Sequence, residues 1–237
     1  MAIIHHTTLT PSKLELLSSW LPSQPWYRGT GKDPELVKAG GFRLDDPAGE
    51  VGIEFMVALH GDEEQVTAYH VPMTYRGSPL VGAEDALIGT TEHGVLGRRW
   101  VYDATRDWVF VAQLAALLRG NAEPQAQSID ETPDPTVHVE PLPGANEAPT
   151  GFTASDDTNG TAVLIDAGTG ALAVRVHRIL MPVADPTARP GHVTATWRLP
   201  GDVEVRGVFF TTGPAERLRE RGLLGDAVKS PGLMRSA

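Results

Sequence analysis

The residues with the clearest binding chemistry lie in one short segment, which holds Trp26, Tyr27, Arg28 and Lys32. The aromatic faces of Trp26 and Tyr27 can stack on sugar rings, and they can equally supply a large apolar surface to a core. Arg28 and Lys32 carry cationic groups that bind phosphate oxygens. Core packing is the default expectation for aromatic rings around the end of a predicted helix. Trp26 and Tyr27 follow that helix in a predicted loop, so with Arg28 and Lys32 they are the candidates for contact with a sugar or a phosphate.

Sequence patterns for other common chemistries are not found. The eight histidines have no spacing that would place two metal ligands on one helical face, so surface or strand histidines are predicted. The absence of cysteine excludes a thiol nucleophile, and no Gly-x-Ser-x-Gly element of a serine hydrolase occurs. The acid pairs at 45–46, 63–64 and 156–157 fall in predicted turns, where they are expected to be solvated. No catalytic residue, metal site or cofactor is predicted.

The composition narrows the class of protein further. The 237 residues, 41% of them hydrophobic, suffice to bury a core. A net charge of −10 disfavours DNA or RNA as a partner, because binding them depends on neutralising phosphates with basic side chains. No apolar run approaches the ~18 residues of a membrane span, and the N-terminus lacks a secretory leader pattern. We expect a cytoplasmic protein with no membrane partner.

The first half of the chain shows two helices around a β-rich region. A strand is predicted over 2–9, and a helix over 11–21 follows it with Thr10 as its N-cap. Alternating apolar residues then predict three strands, at 51–57, 66–75 and 98–102. The region is therefore expected to form an antiparallel sheet with helices beside it.

Pro72 lies inside the second predicted strand. Proline cannot donate to a strand ladder, so an edge strand or a bulge is expected there.

A second helix is predicted after these strands, with its apolar residues within 108–118. Asp103 or Thr105 is its predicted N-cap, and Gly120 is its predicted C′ residue.

The second half begins with a change of composition. Residues 121–150 hold six prolines, and nine acids but no Lys or Arg lie between Arg119 and Arg175. Such a composition buries little apolar surface, so a linker is predicted at 121–135. The elements predicted beyond it are strands at 136–141, 161–166, 171–179, 192–199 and 202–211, a hairpin turn at 166–170, a helix at 214–222 and a flexible tail at 223–237.

The run from Trp20 to Lys32, Trp-Leu-Pro-Ser-Gln-Pro-Trp-Tyr-Arg-Gly-Thr-Gly-Lys, resembles the opening signature of the N-terminal cap of bacterial maltokinases and related aminosugar kinases. Three later runs, at 69–75, 87–89 and 100–104, resemble the same cap in the same order. The resemblance covers about residues 10–120, and Pro25 replaces an arginine of the signature.

In those kinases the cap precedes a kinase-like N-lobe, and residues 155–180 resemble its start. Arg175 stands where the resemblance would place a lysine that holds ATP phosphates, so it is a predicted phosphate contact. No catalytic-loop string of phosphoryl transfer occurs in 180–237, and the chain ends about 60 residues after Arg175. It also offers no room for the (β/α)8 barrel of a glucan-branching enzyme. We therefore expect neither a self-sufficient kinase nor a branching enzyme.

The expected fold is α+β: a cap-like domain with an antiparallel sheet and flanking helices at 1–120, and a β-rich domain resembling a truncated kinase N-lobe at 136–222. The leading functional expectation is a non-catalytic accessory or regulatory module of maltose, trehalose or α-glucan metabolism, which docks onto another protein. One alternative is a sugar- or nucleotide-binding module with its ligand in the crevice between the domains. Others are an unrecognised enzyme of α-glucan metabolism and a homodimer. The substrate-binding residues predicted for the crevice are Trp26, Tyr27, Arg28, Lys32 and Arg175.

Overall fold

The computed structural model of this chain describes residues 9–31, 33–62, 65–127, 132–143, 147–168, 170–184 and 189–214. Its strands are β1 Leu9–Thr10, β2 Val37–Leu44, β3 Gly52–Gly61, β4 Val66–Arg76, β5 Leu87–His93, β6 Gly97–Asp103, β7 Gln125–Ala126, β8 His138–Val139, β9 Pro149–Asp157, β10 Gly160–Ala167, β11 Gly170–His177, β12 Ile179–Leu180, β13 Val193–Leu199 and β14 Val203–Pro214. The α-helices are α1 Lys13–Trp20 and α2 Trp108–Leu118. Predictions for 2–8, 63–64 and 215–237, and for Lys32, fall outside the described residues.

The first sheet is antiparallel and curled, in the order β1-β5-β6-β4-β3-β2-β7, with β12 added to β4. The predicted antiparallel sheet with flanking helices is confirmed in this half of the chain. Strand β7 lies inside the segment predicted to be a linker and pairs with β2. The division into two domains and a linker stays a prediction.

The second sheet has the order β8-β13-β14-β11-β10-β9. The predicted hairpin at 166–170 is confirmed by the pairing of β10 with β11. Strand β9 is not among the predicted strands, because it carries few apolar side chains after Pro149, namely Phe152 and Ala154. Its residues are half-buried apart from Thr150, which is exposed. The fold is thus mostly antiparallel β, and the likeness of this sheet to a kinase N-lobe stays a prediction.

The helix ends follow ordinary capping chemistry at positions that differ from the predicted ones. Helix α1 starts with a capping box in which the Ser12 hydroxyl accepts from the Glu15 N–H and the Glu15 carboxylate accepts from the Ser12 N–H, so Thr10 is not its N-cap. Helix α2 is capped by Asp107, whose side chain accepts from the N–H of Val109. Asp103, the predicted N-cap, caps a separate 3₁₀ turn at 104–106. Gly120 has a φ of 76° beyond α2, as its predicted C′ role requires.

Pro72 lies in an inner strand and not at an edge of the sheet, so this prediction is corrected. It pairs with Phe55 on β3, while the other side of β4 is shared between β12 at residues 68–69 and β6 at residues 73–76. Pro72 falls in the gap between those two partners, where no N–H is needed. The missing donor therefore costs the ladder nothing.

Two apolar clusters hold the described elements together. The larger one lies between the sheets and contains Phe42 and Phe55 from the first sheet, Phe209 and Phe210 from the second, and Leu114 of α2. The smaller one lies on the opposite face of the first sheet and is covered by α1. No helix among the described residues is long and apolar enough to cross a membrane.

Candidate functional site

Trp26 is fully buried, as the default expectation of core packing requires. Its indole meets Trp20 edge-on at 5.8 Å between ring centroids and lies 6.1 Å from the ring of Tyr69. The indole Nε1 is buried and has no hydrogen-bond partner among the described residues. The sugar contact predicted for Trp26 stays a prediction, and in this conformation the ring faces its own core.

Tyr27 lies at the edge of the same cluster and is half-buried. Its ring stacks on Tyr69 with centroids 5.6 Å apart, and its hydroxyl lies 3.5 Å from Nε2 of His60. Burial raises the pKa of both tyrosines. The backbone N–H of Arg28 donates to the Tyr69 hydroxyl at 3.0 Å, while the Arg28 residue is exposed. A Cβ at Gly29 would lie 2.0 Å from the Tyr27 hydroxyl, so this approach of backbone to ring requires glycine.

Arg175 lies on β11 in the second sheet and does not join these residues. Its guanidinium makes two parallel hydrogen bonds to the carboxylate of Asp157, at 2.6 and 2.7 Å. Burial acts to raise the pKa of Asp157, but its hydrogen bonds and the charge of Arg175 outweigh this and hold the pKa below its usual value. The phosphate contact predicted for Arg175 stays a prediction, and here an internal carboxylate occupies its donors.

Arg178 connects the two sheets and is the largest buried charged side chain of the described chain. Its Nε donates to the Thr161 hydroxyl on β10 at 2.7 Å, and its Nη2 donates to the Asp103 carboxylate at the end of β6 at 2.5 Å. Its backbone carbonyl accepts from the N–H of His70 on β4 at 2.9 Å. Its guanidinium carbon lies 5.0 Å from the centroid of the Trp26 ring, within cation–π range.

A second ion pair extends this network. Arg106 follows β6 and donates from Nη2 to Asp156 on β9 at 2.7 Å, and Asp156 also accepts from the Thr161 hydroxyl at 2.5 Å. Asp156 and Asp157 are each bound by an arginine, so the expectation that the 156–157 pair is solvated is wrong. The same holds for Asp46, which is buried and accepts three backbone N–H groups of its own turn.

His70 faces the other side of this junction. Its ring packs among Phe55, Phe209 and Phe210, and its Nδ1 lies 3.0 Å from the carbonyl of His177. Burial, helped by the charge of Arg178, lowers its pKa to about 3, so the ring is neutral. Nε2 of His70 and Nη1 of Arg178 are both buried without a partner among the described residues.

The structure therefore brings Trp26, Tyr27 and Arg28 together around Tyr69 and leaves Arg175 in the other sheet. Arg178, which no motif singled out, is the residue that contacts Trp26 and both sheets. The only sequence feature that points to Arg178 is its position directly before two apolar residues, Ile179 and Leu180. No three His, Cys, Asp or Glu side chains in the described ranges are grouped so that they could hold a metal ion.

Comparison with known proteins gives one family match. Residues 20–107 match the maltokinase N-terminal cap domain, which confirms the resemblance of this part of the chain. The matched range contains the Trp26–Tyr69 cluster and Asp103, and it ends at the N-cap of α2. No curated protein matches the chain.

Proposed function

We propose, from the maltokinase-type cap in residues 20–107, that this chain is a non-catalytic accessory module of maltose, trehalose or α-glucan metabolism that acts by docking onto another protein. The observation that carries the proposal is the buried junction of Arg178 with Asp103 and Thr161. Losing either partner of this pair would leave the other charge buried and unpaired, which is strongly unfavourable. The pair therefore ties the cap to the second sheet, and a partner would meet the two together.

The residues proposed for a ligand crevice are engaged inside the molecule, which favours docking over small-molecule binding. Arg175 is neutralised by Asp157, and Trp26 is fully buried. A phosphate would have to displace the two hydrogen bonds from the Asp157 carboxylate, and a sugar would have to open the aromatic cluster. A protein partner requires neither change.

Exposed apolar side chains beside β14 fit a docking surface. Met181, Val183 and Val203 are 68, 37 and 54% exposed. The N–H of Val183 donates to the carbonyl of Arg206 at 2.8 Å, which sets this segment alongside the strand that begins at Val203. Neighbouring apolar residues at a surface are typical of interaction sites.

The test is a binding titration of the purified chain against purified enzymes of maltose and α-glucan metabolism from the same genome, with maltokinase first. Calorimetry should show saturable binding to one of them. Met181→Asp should weaken that binding at least tenfold, about 1.4 kcal/mol, because it places a charge in the apolar surface. Val95→Asp is the matched control, since Val95 is 62% exposed at the β5–β6 turn. No binding to any enzyme of the panel, or equal weakening by both variants, would contradict the proposal.

A sugar- or nucleotide-binding module is the second candidate, and one observation favours it. Trp26 Nε1 and Arg178 Nη1 are buried donors without partners, and such donors are usually satisfied in a native structure. A ligand at the junction would satisfy them. Maltose, maltose 1-phosphate, trehalose, glucosamine and Mg-ATP should be compared by thermal shift, where a ligand at 100 times its Kd stabilises by ~2.7 kcal/mol. Under this candidate Trp26→Phe, which removes one of the two unpartnered donors, reduces the shift, and a flat panel rejects the candidate.

A further inference from the structure

A second buried carboxylate lies on the opposite face of the first sheet, under α1. Glu54 on β3 is 3% exposed and accepts three hydrogen bonds, each from a different part of the chain. Lys13 of α1 donates to Oε2 at 2.6 Å, Tyr75 of β4 donates to the same oxygen at 2.7 Å, and Gln127 beyond β7 donates to Oε1 at 2.6 Å. These contacts fix the carboxylate and its lysine in one geometry.

A β-bulge brings a second lysine to this face. Lys38 pairs with Ala58 and Gly40 pairs with Val57, so Ala39 is an extra residue in β2. Phe42 and Leu44 of β2 face the core between the sheets. Since side chains alternate along a strand, a regular strand counted back by twos from these residues would place Lys38 on that core side too. The bulge instead sets it on the face of Ala58, which is also the face of Glu54, and re-aiming a side chain in this way is a known use of bulges.

Glycine permits the close approach that completes the cluster. Gly41 has a φ of 132°, and a Cβ there would lie 1.9 Å from the carbonyl oxygen of Phe55 and 3.0 Å from Nε2 of Gln127. A side chain at this position would therefore push Gln127 away from Glu54. The bulge places Lys38 on this face, and the glycine leaves room for Gln127 to reach Glu54.

The cluster holds more positive charge than its one carboxylate can balance. The sequence has four lysines. Two of them lie on the same face of the first sheet as Glu54: Lys13 forms an ion pair with it, and Lys38 interacts with it electrostatically. Burial lowers the pKa of Lys38, the charge of Glu54 acts to raise it, and the charge of Lys13 lowers it further. Within the described residues, Lys13 forms the ion pair with Glu54 and Lys38 forms none. Lys13 keeps about a third of its side chain exposed.

We propose that Lys13 and Lys38 form a phosphate-binding site on the α1 side of the first sheet, with Glu54, Tyr75 and Gln127 holding Lys13 in place. A phosphate dianion supplies negative charge beyond that of the single carboxylate, and lysine binds phosphate as a compact point charge. The chemistry suits free phosphate and a sugar phosphate alike. The site is separate from the Arg178 junction and from the apolar docking surface beside β14, so it does not depend on the docking proposal.

The test is calorimetric titration of the full chain with inorganic phosphate, glucose 1-phosphate and glucose, at an ionic strength fixed with sodium chloride. We expect saturable binding of both phosphates and none of glucose. Affinity for glucose 1-phosphate at least tenfold above that for inorganic phosphate would assign a sugar ester, and equal affinities would assign free phosphate. If neither phosphate binds, the proposal is overturned, whatever the variants do.

Variants then locate the site. Lys38→Met keeps the aliphatic stem and removes the charge, and it should weaken phosphate binding at least tenfold. Lys38→Arg keeps the charge and should retain most of the affinity. Arg98→Met is the matched control, because Arg98 is an exposed cation of the same sheet, paired with Glu92 and distant in sequence from the cluster. Equal binding by wild type and Lys38→Met would overturn the assignment.

Discussion

The Arg178 junction and the Glu54 cluster are both buried ion pairs, but they differ in the number of cations and in access to water. At the junction one arginine, with no exposed side-chain surface, meets one aspartate that is 6% exposed. At the cluster Glu54 pairs with Lys13, whose side chain is 32% exposed, and a second lysine, Lys38, interacts with Glu54 electrostatically on the same face of the sheet. The first arrangement balances its charge internally and joins two sheets. The second leaves a charge that an outside anion can neutralise, and it lies within one sheet and its covering helix.

The largest effect is expected from breaking the junction. Asp103→Ala leaves the guanidinium of Arg178 buried without its carboxylate, which should destabilise the fold by about 3–5 kcal/mol. Urea unfolding monitored by tryptophan fluorescence measures this. The double variant Asp103→Leu with Arg178→Met removes both charges and should recover much of the loss. A loss below about 1 kcal/mol in Asp103→Ala would show that the junction is no more than a surface ion pair.

The same change at the Glu54 cluster should cost less. Glu54→Gln removes the charge that Lys13 meets, but Lys13 can turn toward water because its side chain is already partly exposed. We expect a loss of about 1.5–3 kcal/mol in urea unfolding, the range of a hydrogen bond to a charged group. Phosphate binding should become tighter in this variant, since the two lysines then have no internal counter-charge. A loss equal to that of Asp103→Ala would remove the distinction between the two sites.

Lowering the pH should destabilise the fold through two buried histidines, His70 and His177, near the Arg178 junction. The pKa of His70 is about 3 and that of His177 about 4, both lowered by burial, against an unfolded value of about 6.5. Below about pH 6.5 the unfolded chain therefore binds protons that the folded chain does not. Each histidine then removes about 1.4 kcal/mol of stability per pH unit until its folded pKa is reached.

His70→Phe checks this assignment. The substitution keeps an aromatic ring among Phe55, Phe209 and Phe210. It removes Nε2, which has no partner among the described residues, and Nδ1, which lies 3.0 Å from the carbonyl of His177. The slope of unfolding free energy against pH, measured between pH 6 and 4.5, should fall by about 1.4 kcal/mol per pH unit. An unchanged slope would mean that His70 is protonated in the folded chain.

Local sequence patterns predicted a good part of this fold. The hairpin at 166–170 and the glycine beyond α2 follow from turn and capping chemistry within a few residues. The junction could not be predicted in this way, because Arg178 and Asp103 are 75 positions apart and their meeting depends on how β11 passes to β12. The same is true of Gln127 and Glu54, which are 73 positions apart.

The caps and the bulge show a second limit. The observed N-caps, Ser12 and Asp107, lie two to four positions after the predicted ones. Several neighbouring side chains can cap each helix, and only the local geometry selects one of them. The Gly40–Gly41 pair is the sequence signal for the bulge in β2. It does not by itself tell which lysine the bulge places beside Glu54.

The smallest effect on stability is expected from a solvent-exposed ion pair that belongs to neither the Arg178 junction nor the Glu54 cluster. Arg98 donates to Glu92 across β5 and β6 at 2.7 Å, and the two side chains are 63 and 57% exposed. Arg98→Ala should change the free energy of unfolding by less than about 0.5 kcal/mol, because solvent screens such a pair. Raising sodium chloride to 1 M should change the stability of this variant and the wild type equally. A loss of unfolding free energy close to that of Glu54→Gln would mean that short distances, and not burial, set the strength of the ion pairs in this protein. The difference between the two buried sites would then need another cause.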